Sequence, residues 1–258
     1  MANEIKDVQG LVDKRNLNID KVGVNNVAFA TMIDVGFGVM PFQGRASVLA
    51  FLSKNEKGTH MSRMVRAVNK MCEDQFELLR AENILREVKD SLSTKDVELE
   101  LEANLVRRKK SPITGNYGFE EFKFSLYMHV EDQSITRHAT VSFVGTSLCP
   151  ASKTNSAEGA HNQRSEVKIK FPVKDLTQVA SYMNDAEDNF SCAVYPVLKL
   201  EDEAFITQYA YDNPKFVEDI VRDIAARFNS KEMEFKCIEC LNLESIHTHN
   251  AYARISNE

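Results

Sequence analysis

Cys149 and His161 stand twelve residues apart in the segment GTSLCPASKTNSAEGAHNQRS, residues 145–165. A thiolate and an imidazole can share a metal ion, and a Cys beside a His can be an activated nucleophile. The same segment carries two cations, Lys153 and Arg164, several small hydroxyl and amide residues, and few apolar side chains. Packing alone explains such a composition poorly. A polar loop held by flanking strands is a common place for a site. The alternative is a polar loop with a buried Cys, since free Cys is among the most buried residue types.

Other residues offer chemistry further along. His247-Thr248-His249 is an H-x-H pair ahead of a strand-like run. In an extended chain it puts both rings on one side, which suits metal binding or acid/base work. The alternative is two exposed histidines. Cys237 and Cys240 form a C-x-x-C with no second copy, and on a strand those positions face opposite sides, so they read as structural. Glu218 lies on a predicted helix beside its apolar stripe, where the plain reading is an i,i+4 ion pair with Arg222. The other reading is a carboxylate that grips a pair of ligand donors. Arg107 to Lys110 is ordinarily a solvated basic turn and could instead cradle phosphates. No Walker loop and no G-x-G-x-x-G is present, so ordinary nucleotide-triphosphatase or dinucleotide binding is unsupported.

The elements that position these residues follow from periodicity. Residues 1–20 are polar and aperiodic and read as an extended arm. Val22 to Asp34 and Arg45 to Ser53 read as strands, with Gly36 to Gly38 and Pro41 to Gly44 as breaks between them. Thr59 is a predicted N-cap for a helix carrying Met61, Met64, Val65, Val68 and Met71 at helical spacing. A second helix is predicted over Gln75 to Leu92. Val97 to Leu105 and Phe122 to Val130 alternate with period two, as half-buried strands do. Thr140 to Val144 and Val167 to Phe171 read as strands flanking the Cys149 loop. Helices are predicted over Asp175 to Asp185 and Asn213 to Asn229, the latter with Asn213 as cap and Pro214 at its first position. Glu234 to Leu241 and Asn250 to Ile255 close the chain as strands. Both halves thus read β-β-α-α-β-β, which predicts an α+β fold of two modules, residues 21–134 and 135–258, each an antiparallel sheet with helices on one face. Glu98, Glu100, Glu102, Lys123 and Ser125 point to the opposite, wettable face. Edge-to-edge joining of several copies into a barrel would cover that face and remove exposed edges.

Composition sets the bounds. The 258 residues are 43% hydrophobic and 27% charged, ordinary globular values that allow a sizeable core. A net charge of −6 argues against a general nucleic-acid binder. Five cysteines at scattered spacings are no disulfide framework. The opening MANEIKDVQG has no apolar core of a signal peptide, and no run approaches a membrane span. A soluble, cytoplasmic protein is expected, with no membrane and no nucleic-acid partner.

Five blocks then stand in one order: KGTHMSR (57–63), TSLCP-SK (146–153), GAHNQRS (159–165), NPKFVED (213–219) and ESIHTHNAYA (244–253). Together they resemble the type IB GTP cyclohydrolase I family, over nearly the whole chain. The resemblance implies a duplicated, bimodular tunnelling fold assembled as a homotetramer. It implies metal-dependent hydrolysis of GTP to 7,8-dihydroneopterin triphosphate and formate, the entry to folate and related pterins. By the same resemblance Cys149, His161 and, in LEDEAF, Glu203 match the metal ligands. A divalent zinc, manganese or iron ion held there would activate water for attack at guanine C8. Glu218 matches the carboxylate that anchors the guanine N1–H and 2-amino group, in place of the ion pair read from spacing alone. His247 and His249 are matched to proton transfer. His60, Arg63, Lys153, Arg164, Arg108 and Lys109 become candidates for triphosphate contact. One departure stands in the first loop. The family commonly reads CPCSKEIS, and this chain has Ala151 and Thr154 where that motif has its second Cys and its Glu. A paralogue that binds a purine or pterin without turning GTP over is the alternative.

Overall fold

A computed structural model describes residues 8–257. Its elements run β1 (Ile19–Asp34), β2 (Val39–Leu52), α1 (Met61–Met71), α2 (Leu78–Ser91), β3 (Asp96–Lys110), β4 (Tyr117–Glu131), β5 (Ser134–Leu148), α3 (Pro150–Asn155), β6 (Asn162–Pro172), α4 (Gln178–Glu187), β7 (Cys192–Ala193), α5 (Leu200–Asp212), α6 (Val217–Ser230), β8 (Cys237–Leu243) and β9 (Ala251–Ser256). The strands form one antiparallel sheet in the order β1-β2-β3-β4-β5-β6-β8-β9, with the short β7 pairing with β5. This is an α+β fold.

The chain divides into two compact units. The first takes the chain up to Asp34, then Val39–Ala103 and Ser125–His138; the second takes Val35–Gly38, Asn104–Phe124 and the chain from Ala139 onward. In the first unit Met64, Val68 and Met71 of α1 and Ile84, Leu85 and Val88 of α2 turn inward, as their helical spacing predicts. In the same unit Val48 of β2 and Val97 and Leu99 of β3 are fully buried. In the second unit Tyr182 of α4 stacks on Phe171 of β6, with ring centroids 3.7 Å apart, and meets Phe228 of α6 edge-on. Each aromatic buried this way is worth about 1.5–3 kcal/mol relative to exposure.

Several expectations are corrected by the structure. Pro41 to Gly44 does not break the chain; both lie inside β2. The β2–β3 register begins at Gly44, so Pro41 sits past it, where its missing N–H costs no bond on that side. Gly44 serves close strand approach rather than a turn, because a Cβ there would lie 1.9 Å from the Glu102 carbonyl oxygen. The N-cap of α1 is His60, with no side-chain capping bond, in place of Thr59. Asn213 ends α5 instead of starting α6, which opens at Val217 with the Phe216 N–H donating to Asp219 Oδ2 at 2.9 Å. The whole of α5 escapes periodicity, because its large apolar residues Leu200, Phe205 and Tyr209 are exposed and only Asp202 and Ala210 are buried. The basic cluster Arg107 to Lys110 is not a turn either. It is the last stretch of β3, and the turn is Ser111 to Asn116.

Candidate functional site

The loop that held Cys149 and His161 is shorter than its sequence suggests. β5 runs on to Leu148 and β6 starts at Asn162, so the connection is residues 149–161, with α3 inside it. The end of β5 is fixed from below. Gly145 lies flat against Phe190, where a Cβ would come within 2.2 Å of the ring. Ser191 donates its N–H to the Thr146 carbonyl at 2.9 Å, and the Leu148 N–H donates to Ser191 Oγ at 3.0 Å. Cys149 therefore leaves a rigid strand end.

Three further bonds clasp the two ends of the loop. The Cys149 N–H donates to the His161 carbonyl at 3.0 Å. The Ser152 N–H donates to Cys149 Sγ at 3.4 Å, and the His161 N–H donates to Ser152 Oγ at 3.4 Å. The thiol and the imidazole share one rim as a result, both partly exposed.

The His161 ring is held by a partner the sequence reading did not single out. Its Nδ1 lies 3.0 Å from Gln163 Oε1, and the buried Gln163 amide donates through Nε2 to Ser147 Oγ at 2.7 Å. Glu244 Oε2 stands 3.9 Å from the same Nδ1. The signal that could have found Gln163 is its i,i+2 spacing from His161 on a strand, which puts the two on one face.

The C-terminal histidines arrive by sheet register. β6 pairs antiparallel with β8 with Arg164 opposite Leu243 and Ser165 opposite Asn242. Carried on past the strand ends, that register brings the segment after Leu243 alongside His161. The His247 ring meets His161 edge-on with centroids 6.3 Å apart, and His249 stacks on His247 at 5.0 Å. Both outer rings are exposed. Thiol, carboxylate and three imidazoles are thus gathered from two distant stretches of chain.

The corner between α5 and α6 is pinned to the same place. The Lys215 N–H donates to the carbonyl of Leu148, the residue before Cys149, at 3.0 Å. Glu218 follows three residues later in the first turn of α6, exposed and without the ion pair to Arg222 that spacing suggested. Arg222 instead lies 3.9 Å from Asp219. Glu203 is exposed in the first turn of α5. Its neighbour Asp202 is fully buried and accepts from the Ile113 and Thr114 N–H groups at 2.9 Å each, from Thr114 Oγ1 at 2.6 Å and from the Lys199 N–H at 3.0 Å. Burial alone would raise that carboxyl's pKa; the four donors override it and hold it far below the usual carboxylate range.

The predicted phosphate cations divide. Lys153 is folded onto α5, its ammonium donating to the Tyr211 carbonyl and lying 4.2 Å from that ring's centroid. Arg164 is exposed on β6. Arg108 is exposed and covers the Tyr117 ring at 4.6 Å. Lys109 is not offered to solvent. With Arg107 it is buried against Glu120 and Glu187, Arg107 at 2.6 and 2.7 Å, Lys109 at 3.1 Å from Glu120 and in contact with Glu187. Four charges that cancel in a closed cluster explain why β3 keeps its alternation through a basic stretch. In the first unit, His60 and Arg63 line a cavity of about 170 Å³ together with Gln9, Thr59, Ser91 and Ser93. The Arg63 guanidinium donates to the Ser91 carbonyl there.

The donor set suits a borderline-soft divalent ion, one sulfur and one imidazole nitrogen on a rim. Among the described residues no three His, Cys, Asp or Glu side chains are drawn together closely enough to hold an ion by themselves.

Comparison with known proteins gives one consistent answer. Residues 5–253 match the family described as type I GTP cyclohydrolase folE2. The GTP cyclohydrolase FolE2 of Vesicomyosocius okutanii subsp. Calyptogena okutanii is 37% identical over 261 residues, 99% of this chain and 98% of that one. The GTP cyclohydrolase FolE2 of Magnetococcus marinus is 38% identical over 257 residues, 97% of this chain and 95% of that one. Among solved structures, the uricase from Arthrobacter globiformis superposes with a TM-score of 0.51 at 8% identity, covering 93% of this chain and 94% of that one. That likeness speaks to the fold alone, which is of the tunnelling class.

Proposed function

This chain belongs to the type I GTP cyclohydrolase family, and from that premise we propose that it hydrolyses GTP to 7,8-dihydroneopterin triphosphate and formate in folate biosynthesis, with a divalent metal held at the Cys149–His161 rim. The observation that carries this reading is the clasp that sets the Cys149 thiol and the His161 imidazole on one rim beside the His247 and His249 rings. The third ligand in this reading is Glu203, on the first turn of α5. A zinc, manganese or iron ion bound there would lower the pKa of water toward neutrality and polarise the purine ring.

The chain's own residues do the rest. Glu218 accepts hydrogen bonds from the guanine N1–H and 2-amino group, two donors spaced for one fixed carboxylate. That bond pair orients the purine, and such positioning is a large part of a catalysed barrier. His247 and His249, exposed and stacked, take and return protons as the imidazole ring of guanine opens. Arg164 and Arg108 are the triphosphate contacts of this reading, with Lys153 joining them once it leaves the Tyr211 carbonyl; His60 and Arg63, in the other unit, stay candidates on their own motif. Lys109 is the weakest of the group, because its ammonium already meets two buried carboxylates.

At the two departures from the family loop, Ala151 is exposed on α3, and Thr154 donates its hydroxyl to the Pro150 carbonyl at 2.9 Å. The assembly in this reading is a homotetramer of duplicated modules whose sheets close a barrel. In this reading the protein works in the cytoplasm, where thiols such as those of Cys72, Cys149, Cys192, Cys237 and Cys240 stay reduced. None of the described helices is long and apolar enough to cross a membrane.

Product identification tests the proposal. Purified protein supplied with GTP and manganese, zinc or iron is expected to release formate and a fluorescent pterin in equal amounts. GTP that binds and yields neither product with any metal would favour the paralogue that only binds purines.

A further inference from the structure

Gln163 is a buried polar residue. Its side chain bridges two polar groups, His161 Nδ1 at 3.0 Å and Ser147 Oγ at 2.7 Å, and Ser147 is itself fully buried. A neutral imidazole carries its proton on one nitrogen only, and the bond at one nitrogen decides what the other can do. Two groups face Nδ1, the Gln163 carbonyl oxygen and the Glu244 carboxylate at 3.9 Å. A carboxylate repels a lone pair and attracts an N–H. With Ser147 taking the amide N–H of Gln163, the oxygen of that amide is turned toward the ring. Both neighbours therefore favour a proton on Nδ1.

We infer that Gln163, backed by Ser147, is a positioning residue that fixes His161 as the Nδ1–H tautomer and so presents a bare Nε2 lone pair at the Cys149 rim. The tautomer stands on hydrogen bonds of the metal-free chain. Its consequence, a ring ready to ligate a divalent ion, rests on the metal site proposed above. The tie also limits which way the ring can face, because the Gln163 bridge reaches from β6 to the fixed end of β5. Outer hydrogen-bond partners of this kind commonly set ligand orientation and basicity, and losing one costs about 10–100-fold in metal affinity.

The experiment reads the tautomer directly. Metal-free protein labelled with 15N at histidine is examined by long-range proton–nitrogen correlation at alkaline pH, beside Gln163→Met and Gln163→Glu. Gln163→Met keeps the volume and removes the acceptor; Gln163→Glu keeps an oxygen that can accept from Nδ1. Wild type and Gln163→Glu are expected to show the Nδ1–H pattern for His161. Gln163→Met is expected to shift His161 toward Nε2–H while the other five histidines keep their signals. Zinc affinity, read by competition with a chelator, is expected to fall by roughly 10–100-fold in Gln163→Met and to stay within severalfold in Gln163→Glu. An Nε2–H pattern in wild type overturns the inference, and so does a Gln163→Met protein with unchanged tautomer. A wild type that shows Nδ1–H and binds no zinc leaves the tautomer assignment standing and removes the metal site instead.

Discussion

The backbone N–H of Cys149 donates to the carbonyl of His161 at 3.0 Å, joining the two ends of a polar loop across twelve residues of sequence. That bond turns a spacing into a site. Without it the thiol and the imidazole would sit on opposite arms of a mobile connection; with it they share a rim that Ser152 braces from within the loop.

Replacing the thiol is the simplest consequence. Cys149→Ala is expected to lose bound metal and GTP turnover together while keeping its fold, because the Cys149–His161 bond is made by backbone atoms. The loss in metal affinity should exceed the roughly 10–100-fold that an outer partner costs. Metal content by elemental analysis and circular dichroism check both halves of this statement, and full turnover in Cys149→Ala would remove Cys149 from the ligand set.

Glu218→Ala tests the proposed guanine anchor without disturbing α6, whose first turn is held by Asp219. Losing a pair of charge-assisted hydrogen bonds costs about 3 kcal/mol, or roughly 100-fold in kcat/KM. Most of that loss is expected in KM if the anchor binds ground state and transition state alike. Steady-state kinetics with GTP decide it, and an unchanged kcat/KM would take Glu218 out of the pocket.

Glu187 is a stability residue. It meets both Arg107 and Lys109 in the buried cluster. Glu187→Ala strands two cations with the single carboxylate of Glu120, and breaking such a buried network costs about 3 kcal/mol. Urea unfolding should show a lower midpoint with an unchanged slope.

Asp185 gives the pH dependence. Burial would raise its carboxyl pKa, and hydrogen bonds from Lys231 and from Arg227 Nε at 3.0 Å outweigh that and hold it below the ordinary value. A carboxylate with a depressed folded pKa contributes stability above its unfolded value of about 3.9 and loses it as pH falls through the folded value. Wild type should therefore lose more stability than Asp185→Asn as pH falls below about 4, as thermal melts across that range would show.

What the sequence made legible follows from where periodicity is strong. Val97 to Leu105 and Phe122 to Val130 alternate cleanly and are strands, and the stripe of Ile220, Ile224 and Phe228 is a buried helix face. The Cys149 and His161 blocks were readable because their residue types have little to do in a core. The rest depended on distance in sequence. Glu187 lies 80 residues from Arg107, and no local pattern pairs them. Glu244 reaches His161 only through the β6–β8 register, and Gln163 acquires its role only once Ser147 is seen beside it. Helix α5 stayed hidden because it exposes its apolar side chains, so the amphipathic pattern that reveals α6 is absent there.

The central claim is that the rim formed by Cys149 and His161 holds the metal on which GTP hydrolysis depends. It is tested most directly by stripping the protein with a chelator, removing the chelator, and measuring formate release from GTP before and after adding one equivalent of zinc, manganese or iron. The account predicts no formate from the stripped protein and restored release, matched by pterin fluorescence, with at least one of the three metals. Full turnover in the stripped protein would contradict it.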